Sequence, residues 1–246
     1  MFDINEFIAS INANAVKNSI EVFLPSFQRV IKFKPVSTKQ YKDLYACIKD
    51  NILYNTKFII VTYNIIKDNC LEPDILDQIN IIDRAFILLA LRRNILGTTV
   101  KNIDFNSNLA LASTIVLPEE ELLTVSNIKI STQIPTLKEV YEMEVELRGD
   151  LKEETVTIDA LTENLIIGGC CKFIKKIQVE DTDLNFKAFN YKERIKLVES
   201  LPAATLNSIQ NFAEKVTSLQ DNITNVLNSN GTRSQFYINT DFFLAE

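Results

Sequence analysis

The chain has 246 residues, of which 46% are hydrophobic and 24% charged, with a formal net charge of −6. Those values exclude collagen-like, mucin-like and wholly disordered chains, and the length suffices for one large domain or two small ones. The chain has no His, which removes the Ser-His-Asp triad, the Cys-His pair and His-ligated metal sites; its 5 Gly and 6 Pro leave no long flexible linker.

An acidic chain repels nucleic acid unless it segregates a basic face. The densest basic run, Lys172-Phe173-Ile174-Lys175-Lys176, reads as the solvated edge of a helix. The start, Met1-Phe2-Asp3-Ile4-Asn5-Glu6, lacks a positive segment leading into an apolar one, so no secretory signal is expected. The most apolar run, 58–66, is too short for the roughly 20 helical residues that cross a bilayer. A soluble, intracellular protein without nucleic-acid or membrane partners is expected. Cys47, Cys70, Cys170 and Cys171 sit in apolar segments, and the adjacent pair lacks the spacer of a zinc or redox motif, so buried reduced thiols are expected.

In chain order, Ile4, Phe7, Ile8 and Ile11 predict a short amphipathic helix over 4–13. Ser19–Leu24 and Arg29–Val36 flank Pro25-Ser26-Phe27-Gln28 and predict a β-hairpin. Ser37-Thr38-Lys39-Gln40 fits a capping box, opening a helix through Tyr41, Leu44, Tyr45 and Ile48. Further helices are predicted over 54–69 and 75–96, the second ending at Gly97 after Arg92 and Arg93. Thr98–Phe105, Leu109–Leu117 and Val125–Ile134 are rich in β-branched residues and predict strands of a small antiparallel insertion, with Glu119-Glu120-Glu121 as a solvated connection.

Pro135, Thr136 and Glu139 open the next helix with a second capping box, and another helix is predicted over 157–177, with Gly168-Gly169 inside it for close packing or a kink. Asn190 with Glu193 caps a further helix. After Pro202, Leu206, Ile209, Phe212, Val216, Leu219, Ile223 and Val226 predict a long helix to about 227, with its own core favoured over a coiled-coil seam. A turn at 228–231, a strand over 234–238 and the apolar tail Asp241-Phe242-Phe243-Leu244 close the chain.

The expected class is α+β: mostly helical, with an N-terminal β-hairpin, a small antiparallel β insertion near 98–134 and a C-terminal strand. A single unit over 1–246 is expected, its sub-division being 1–149 and 150–246. Catalytic motifs are missing from the sequence. There is no Gly-x-x-x-x-Gly-Lys-Ser/Thr loop and no Gly-x-Ser-x-Gly elbow. The alternative of another class is a carboxylate-based, metal-dependent hydrolase, for which Asp104, Asp159, Glu180 and Asp183 would have to converge on a cation. Phe2, Phe7, Phe27, Phe242 and Phe243 are candidates for partner contacts, with burial in the chain's own core as the alternative for each.

Several of these segments share an order with a known family. Leu24-Pro25-Ser26 followed by Val30–Pro35 and a capped helix resembles the "LPS…VKFRP" signature of the baseplate hub proteins of T-even-type contractile-tailed phages. Ile65–Cys70 resembles the "IINNC" helix end, 82–97 resembles "D…FLFLKLRAKSVGE", and Ile134–Val140 resembles "PTLKD". Phe189–Pro202 is similar to "FSKEELKEFIESLP", Ile209–Phe212 to "KIQKFF", and Asp241-Phe242-Phe243 to the closing "FF". The resemblance spans nearly the whole chain from about residue 18. Related chains often carry Cys-x-x-Cys in the C-terminal hairpin; this chain has Val226–Gly231 there, so no metal site is carried over.

The resemblance implies a non-enzymatic, late-expressed tail morphogenesis protein. It would be a baseplate hub subunit or an assembly factor, with other hub or tail proteins as partners and no cofactor, in the host cytoplasm or in the virion tail baseplate. A homo-oligomer is left open. The contacts are expected at Pro25, Ser26, Phe27, Phe242 and Phe243, with the 98–134 segment as a further surface.

Overall fold

The computed structural model describes residues 4–47, 54–153, 167–180, 182–227 and 232–244. The chain divides into two compact units: 1–116 with 221–246, and 117–220. The class is α+β.

In the first unit, α1 (Ile4–Lys17) leads to the hairpin β1 (Ile20–Leu24) and β2 (Arg29–Phe33). Alternation sets the hairpin's sides: Ile20, Val22 and Leu24 of β1 and Ile31 and Phe33 of β2 are buried, while Glu21 and Lys32 stay exposed. The register pairs Val22 with Ile31. α2 (Thr38–Ala46) begins at Ser37, whose hydroxyl accepts the Gln40 amide while the Gln40 side chain accepts the Ser37 amide, as the capping box requires. Gln40 and Asn69 exchange side-chain amide bonds of 3.1 and 3.2 Å. That pair ties the start of α2 to the end of α3 (Tyr54–Asn69).

The segment expected as one helix over 75–96 is broken. A 3-10 turn covers Pro73–Gln78, and α4 (Ile81–Leu96) starts afresh at Asn80. The reason is a capping box of Asn80 with Asp83: the Asn80 side chain accepts the Ile82 and Asp83 amides at 2.8 and 2.9 Å and holds the preceding backbone extended. α4 is buried almost without interruption from Ile82 to Arg92 and packs along β1. It ends at Gly97, whose φ of +82° suits a residue without a Cβ.

The expected strand Thr98–Phe105 is a minimal hairpin, β3 (Thr99–Val100) and β4 (Ile103–Asp104). Lys101 and Asn102 turn it with positive φ of 46° and 64°, the hand that suits a two-residue loop. The expected strand Leu109–Leu117 is corrected: α5 (Asn106–Ala110) and a 3-10 turn over Leu111–Ser113 occupy its first part. The Asp104 carboxylate accepts the Asn106 amide at 3.0 Å, which favours a helical start over β continuation.

In the second unit, β5 (Glu121–Val125), β6 (Ile128–Thr132), β7 (Ile174–Val179) and β8 (Thr182–Leu184) form an antiparallel sheet in that order. The helix expected over 157–177 is corrected at its end: 167–171 are helical, and Ile174–Val179 form β7. The lysines 175 and 176 therefore lie on a strand and pair with Glu120 and Asp183. Residues 157–166 of that helix lie outside the described residues. α6 (Leu137–Glu153) opens with the predicted Thr136–Glu139 box. α7 (Tyr191–Glu199) has its Asn190–Glu193 box.

α8 (Ala203–Thr224) ends before the expected 227, because Asn225–Leu227 forms β9 and pairs with β10 (Arg233–Gln235). The strand expected over 234–238 is thus shorter, and the turn at 228–231 lies outside the described residues. At Gly168 the Tyr191 ring lies so close that an added Cβ would collide with its hydroxyl, the close packing expected of that glycine.

Candidate functional site

The predicted partner-facing turn is held from beneath. Pro25 is buried, Ser26 is exposed and Phe27 is half-buried. The Phe27 amide donates to the Leu24 carbonyl at 3.1 Å, the Gln28 side chain donates to the Pro25 carbonyl at 2.8 Å, and Gln28 closes the turn at φ +52°. Ser26 reaches to the start of α4. Its amide donates to Asp83 Oδ1 at 3.1 Å, and its hydroxyl donates to Asp83 Oδ2.

Asp83 is itself fully buried and also accepts the Asn80 amide at 3.1 Å. One carboxylate therefore caps α4 and anchors the turn. Burial pushes its pKa above the usual carboxylate range, against the lowering pull of the Ser26 and Asn80 hydrogen bonds. Beside the turn, Val30 is 45% exposed, and Arg29 pairs with Glu72 at 2.7 Å. Phe27 and Val30 thus stand on a turn whose backbone is already ordered, which lowers the entropy cost of docking.

Phe242 and Phe243 are placed differently. They are 1% and 2% exposed and lie among the first unit's own aromatics. The Phe242 ring stands 5.5 Å from Phe105, 5.6 Å from Phe236 and 5.3 Å from Phe243. Of the two readings open for these rings, the structure takes burial in the chain's own core. Phe2 and the side chain of Phe7 lie outside the described residues.

The tail is fixed by a residue that sequence reasoning assigned to a helix end. Arg92 is buried at 2% exposure. It donates from Nε to the Phe242 carbonyl at 2.6 Å and from Nη1 to the Gly97 carbonyl at 2.7 Å. Its guanidinium lies over the Phe105 and Phe242 rings, 5.5 and 5.3 Å from their centroids. Asn108 does similar work, donating to the carbonyls of Ile223 and Asn225 at 2.7 and 2.8 Å. An Arg near a helix's C-terminus usually meets solvent, so the local signal for burial was the apolar run before it.

Of the acids named for a hydrolase, three lie among the described residues. Asp104 accepts the Asn106 amide, Asp183 pairs with Lys176, Glu180 sits in the turn after β7, and Asp159 lies outside the described residues. Among the described residues, no group of three or more Cys, Asp or Glu side chains is placed to hold a metal ion. A cleft of about 310 Å³ in the first unit is lined by Glu21, Phe23, Phe86, Arg93 and Asn106. Cys47, Cys70, Cys170 and Cys171 are buried thiols, and Cys47 and Cys70 donate to the Asp43 and Glu72 carbonyls at 3.4 and 3.3 Å. Burial pushes the Cys171 thiol up to about 12, with Cys170 adding to it. Among the described residues, no helix is long and apolar enough to cross a membrane.

A protein family described as T4 bacteriophage base plate protein matches residues 16–243. No curated protein and no solved structure matches the chain. α1 therefore falls almost wholly before the matched stretch, while the hairpin turn, Asp83, Arg92 and the Phe242–Phe243 tail fall within it.

Proposed function

Since the chain belongs to the T4 bacteriophage base plate protein family, we propose that it is a non-enzymatic tail morphogenesis protein that binds hub proteins and promotes assembly of the baseplate hub. The observation that carries the reading is the family match over residues 16–243. It agrees with the order of motifs from Leu24-Pro25-Ser26 to Asp241-Phe242-Phe243. Of the two forms of this role, we favour an assembly factor over a permanent subunit, because an acidic chain of net charge −6 helps to keep apolar partners soluble. The work is done in the host cytoplasm.

The contact surface we assign is the β1–β2 turn. Phe27 and Val30 would seat against apolar surface of a hub protein inside a polar rim. Pro25, Ser26 and Asp83 hold the turn in shape. Phe242 and Phe243 serve the same end indirectly, by closing the core of the unit that carries the turn.

The test is quantitative mass spectrometry of this chain in purified finished tails and in infected-cell lysate. Abundance in lysate with none in tails is the expected result and makes it an assembly factor that departs. A fixed copy number in tails makes it a structural component instead. Absence of any association with tail proteins in either fraction refutes the morphogenesis reading.

A further inference from the structure

Strands at the rim of a sheet carry unpaired backbone donors and acceptors, and proteins shield them with bulges, short length, Lys or Pro. The two rims of the second unit's sheet differ in this respect. β8 is three residues long and carries Asp183, paired with Lys176 at 2.5 Å. β5 is five residues long, Glu-Leu-Leu-Thr-Val, without Pro, Gly or Lys. Its ladder with β6 runs in unbroken register from Glu121–Thr132 to Val125–Ile128. The irregularity in the sheet sits further in, between β6 and β7 at Ser131/Thr132. Lys215 of α8 pairs with Glu121 at the start of β5, at 2.6 Å, and among the described residues β5 is the rim that lacks these devices.

Apolar surface accompanies it. Leu122 is 63% exposed on one face. On the other, the pairing places Val125 beside Ile128 and Ile128 beside Val179. Val125 and Ile128 are half-buried and Val179 is 42% exposed.

We infer that β5 is a pairing edge for a second copy of this chain, with the two β5 strands antiparallel about Leu123. The strand is complementary to itself in that register. Leu123 faces its own copy, Leu122 faces Thr124, and Glu121 faces Val125. No like charges stand opposite one another, as cross-strand pairing requires. The two Glu121 carboxylates fall roughly 14 Å apart at about 3.4 Å per residue, beyond the screening length of about 8 Å at physiological salt. A parallel pairing would set Glu121 beside Glu121.

The contact is isologous, so it closes at two copies and pairs the β5 rim of each, leaving a β8 strand at either end of the joined sheet. A five-residue ladder is small against the area of about 1,000 Å² that a stable interface buries. The dimer is therefore concentration-dependent. This inference stands apart from the role in hub assembly.

The test is sedimentation velocity of the full chain from about 5 to 500 μM, bracketing the weak affinity that so short a ladder implies. A monomer–dimer equilibrium is expected. Leu122→Lys and, separately, Thr124→Lys place a charge at solvent-facing positions of the edge and should each weaken dimerisation by about tenfold or more, since each acts twice in a two-fold contact. Their far-UV spectra should match the parent chain, and either variant that folds suffices. Under mild oxidation Leu123→Cys should give a disulfide-linked dimer. Leu122→Cys should not, because its copy lies on the diagonal, about 7–8 Å away.

A chain that stays monomeric at the highest concentration overturns the inference. So does a dimer indifferent to both lysine variants, or cross-linking through Leu122→Cys instead. Monomers whose binding to another tail protein is lost in the lysine variants would assign the edge to a different occupant and equally overturn it.

Discussion

Replacing Phe242 by Ala removes a side chain that is 1% exposed and has aromatic neighbours at 5.3–5.6 Å. A buried Phe→Ala change costs about 3–5 kcal/mol through lost transfer energy and the cavity left behind. The guanidinium of Arg92, 5.3 Å from the ring centroid, also loses that face, worth about 0.5–2 kcal/mol in a desolvated site. Its hydrogen bond to the residue-242 carbonyl survives, because that bond is to backbone. A loss of about 4 kcal/mol is expected, against a usual total of about 5–15 kcal/mol. With a urea slope of about 2 kcal/mol/M, the midpoint of the transition that includes this unit should fall by about 2 M.

Hydrogen exchange locates the effect. Peptides covering 99–110 and 232–244, which carry Phe105, Phe236 and Phe242, should lose protection first. Deleting 241–246 should cost more, since it also removes Phe243 and the carbonyl that Arg92 Nε holds. A midpoint shift below about 0.5 M for the deletion, at unchanged slope, would refute the reasoning and place the tail outside the folding core.

Other expectations follow from single contacts. Asp83 has a folded-state pKa above its ordinary 3.8, so the native state holds the proton more tightly than the unfolded chain. The stability from that tighter hold is complete below the unfolded value and is lost as pH rises through the folded pKa. Relative to Asp83→Asn, the parent chain should gain stability as pH falls from about 7 towards 4; a pH-independent difference in urea midpoints would contradict this. Gly168→Ala drives a methyl group into the Tyr191 hydroxyl and should cost about 1–3 kcal/mol, part of it recovered by adding Tyr191→Phe, as thermal melts will report. Cys171, buried and with its pKa raised to about 12, should resist iodoacetamide at pH 8 in the native chain and react once unfolded, as peptide mass mapping can show.

The sequence by itself determined the features whose partners lie within a few residues. The boxes at Ser37–Gln40, Thr136–Glu139 and Asn190–Glu193 are local hydrogen-bond exchanges, and alternation along Ile20–Leu24 marks which side chains go inward. The Asn80–Asp83 box was equally local and was masked by the helical spacing of Ile79, Ile82 and Phe86 on either side of the break. Apolar period cannot reveal an interruption that keeps the same face buried.

Tertiary structure decided the rest. Residues 174–179 have helix-compatible spacing, but β6 supplies a ladder for them, and strand preference depends on such neighbours. Arg92 and Phe242 meet across 150 positions, a contact with no sequence period to announce it. Burying a guanidinium requires acceptors in place, and the returning tail and Gly97 bring carbonyls to it. The same long-range closure turned Phe242 and Phe243 inward and left Phe27 and Val30 on the surface, because which apolar side chain becomes core depends on what the chain brings back to cover it.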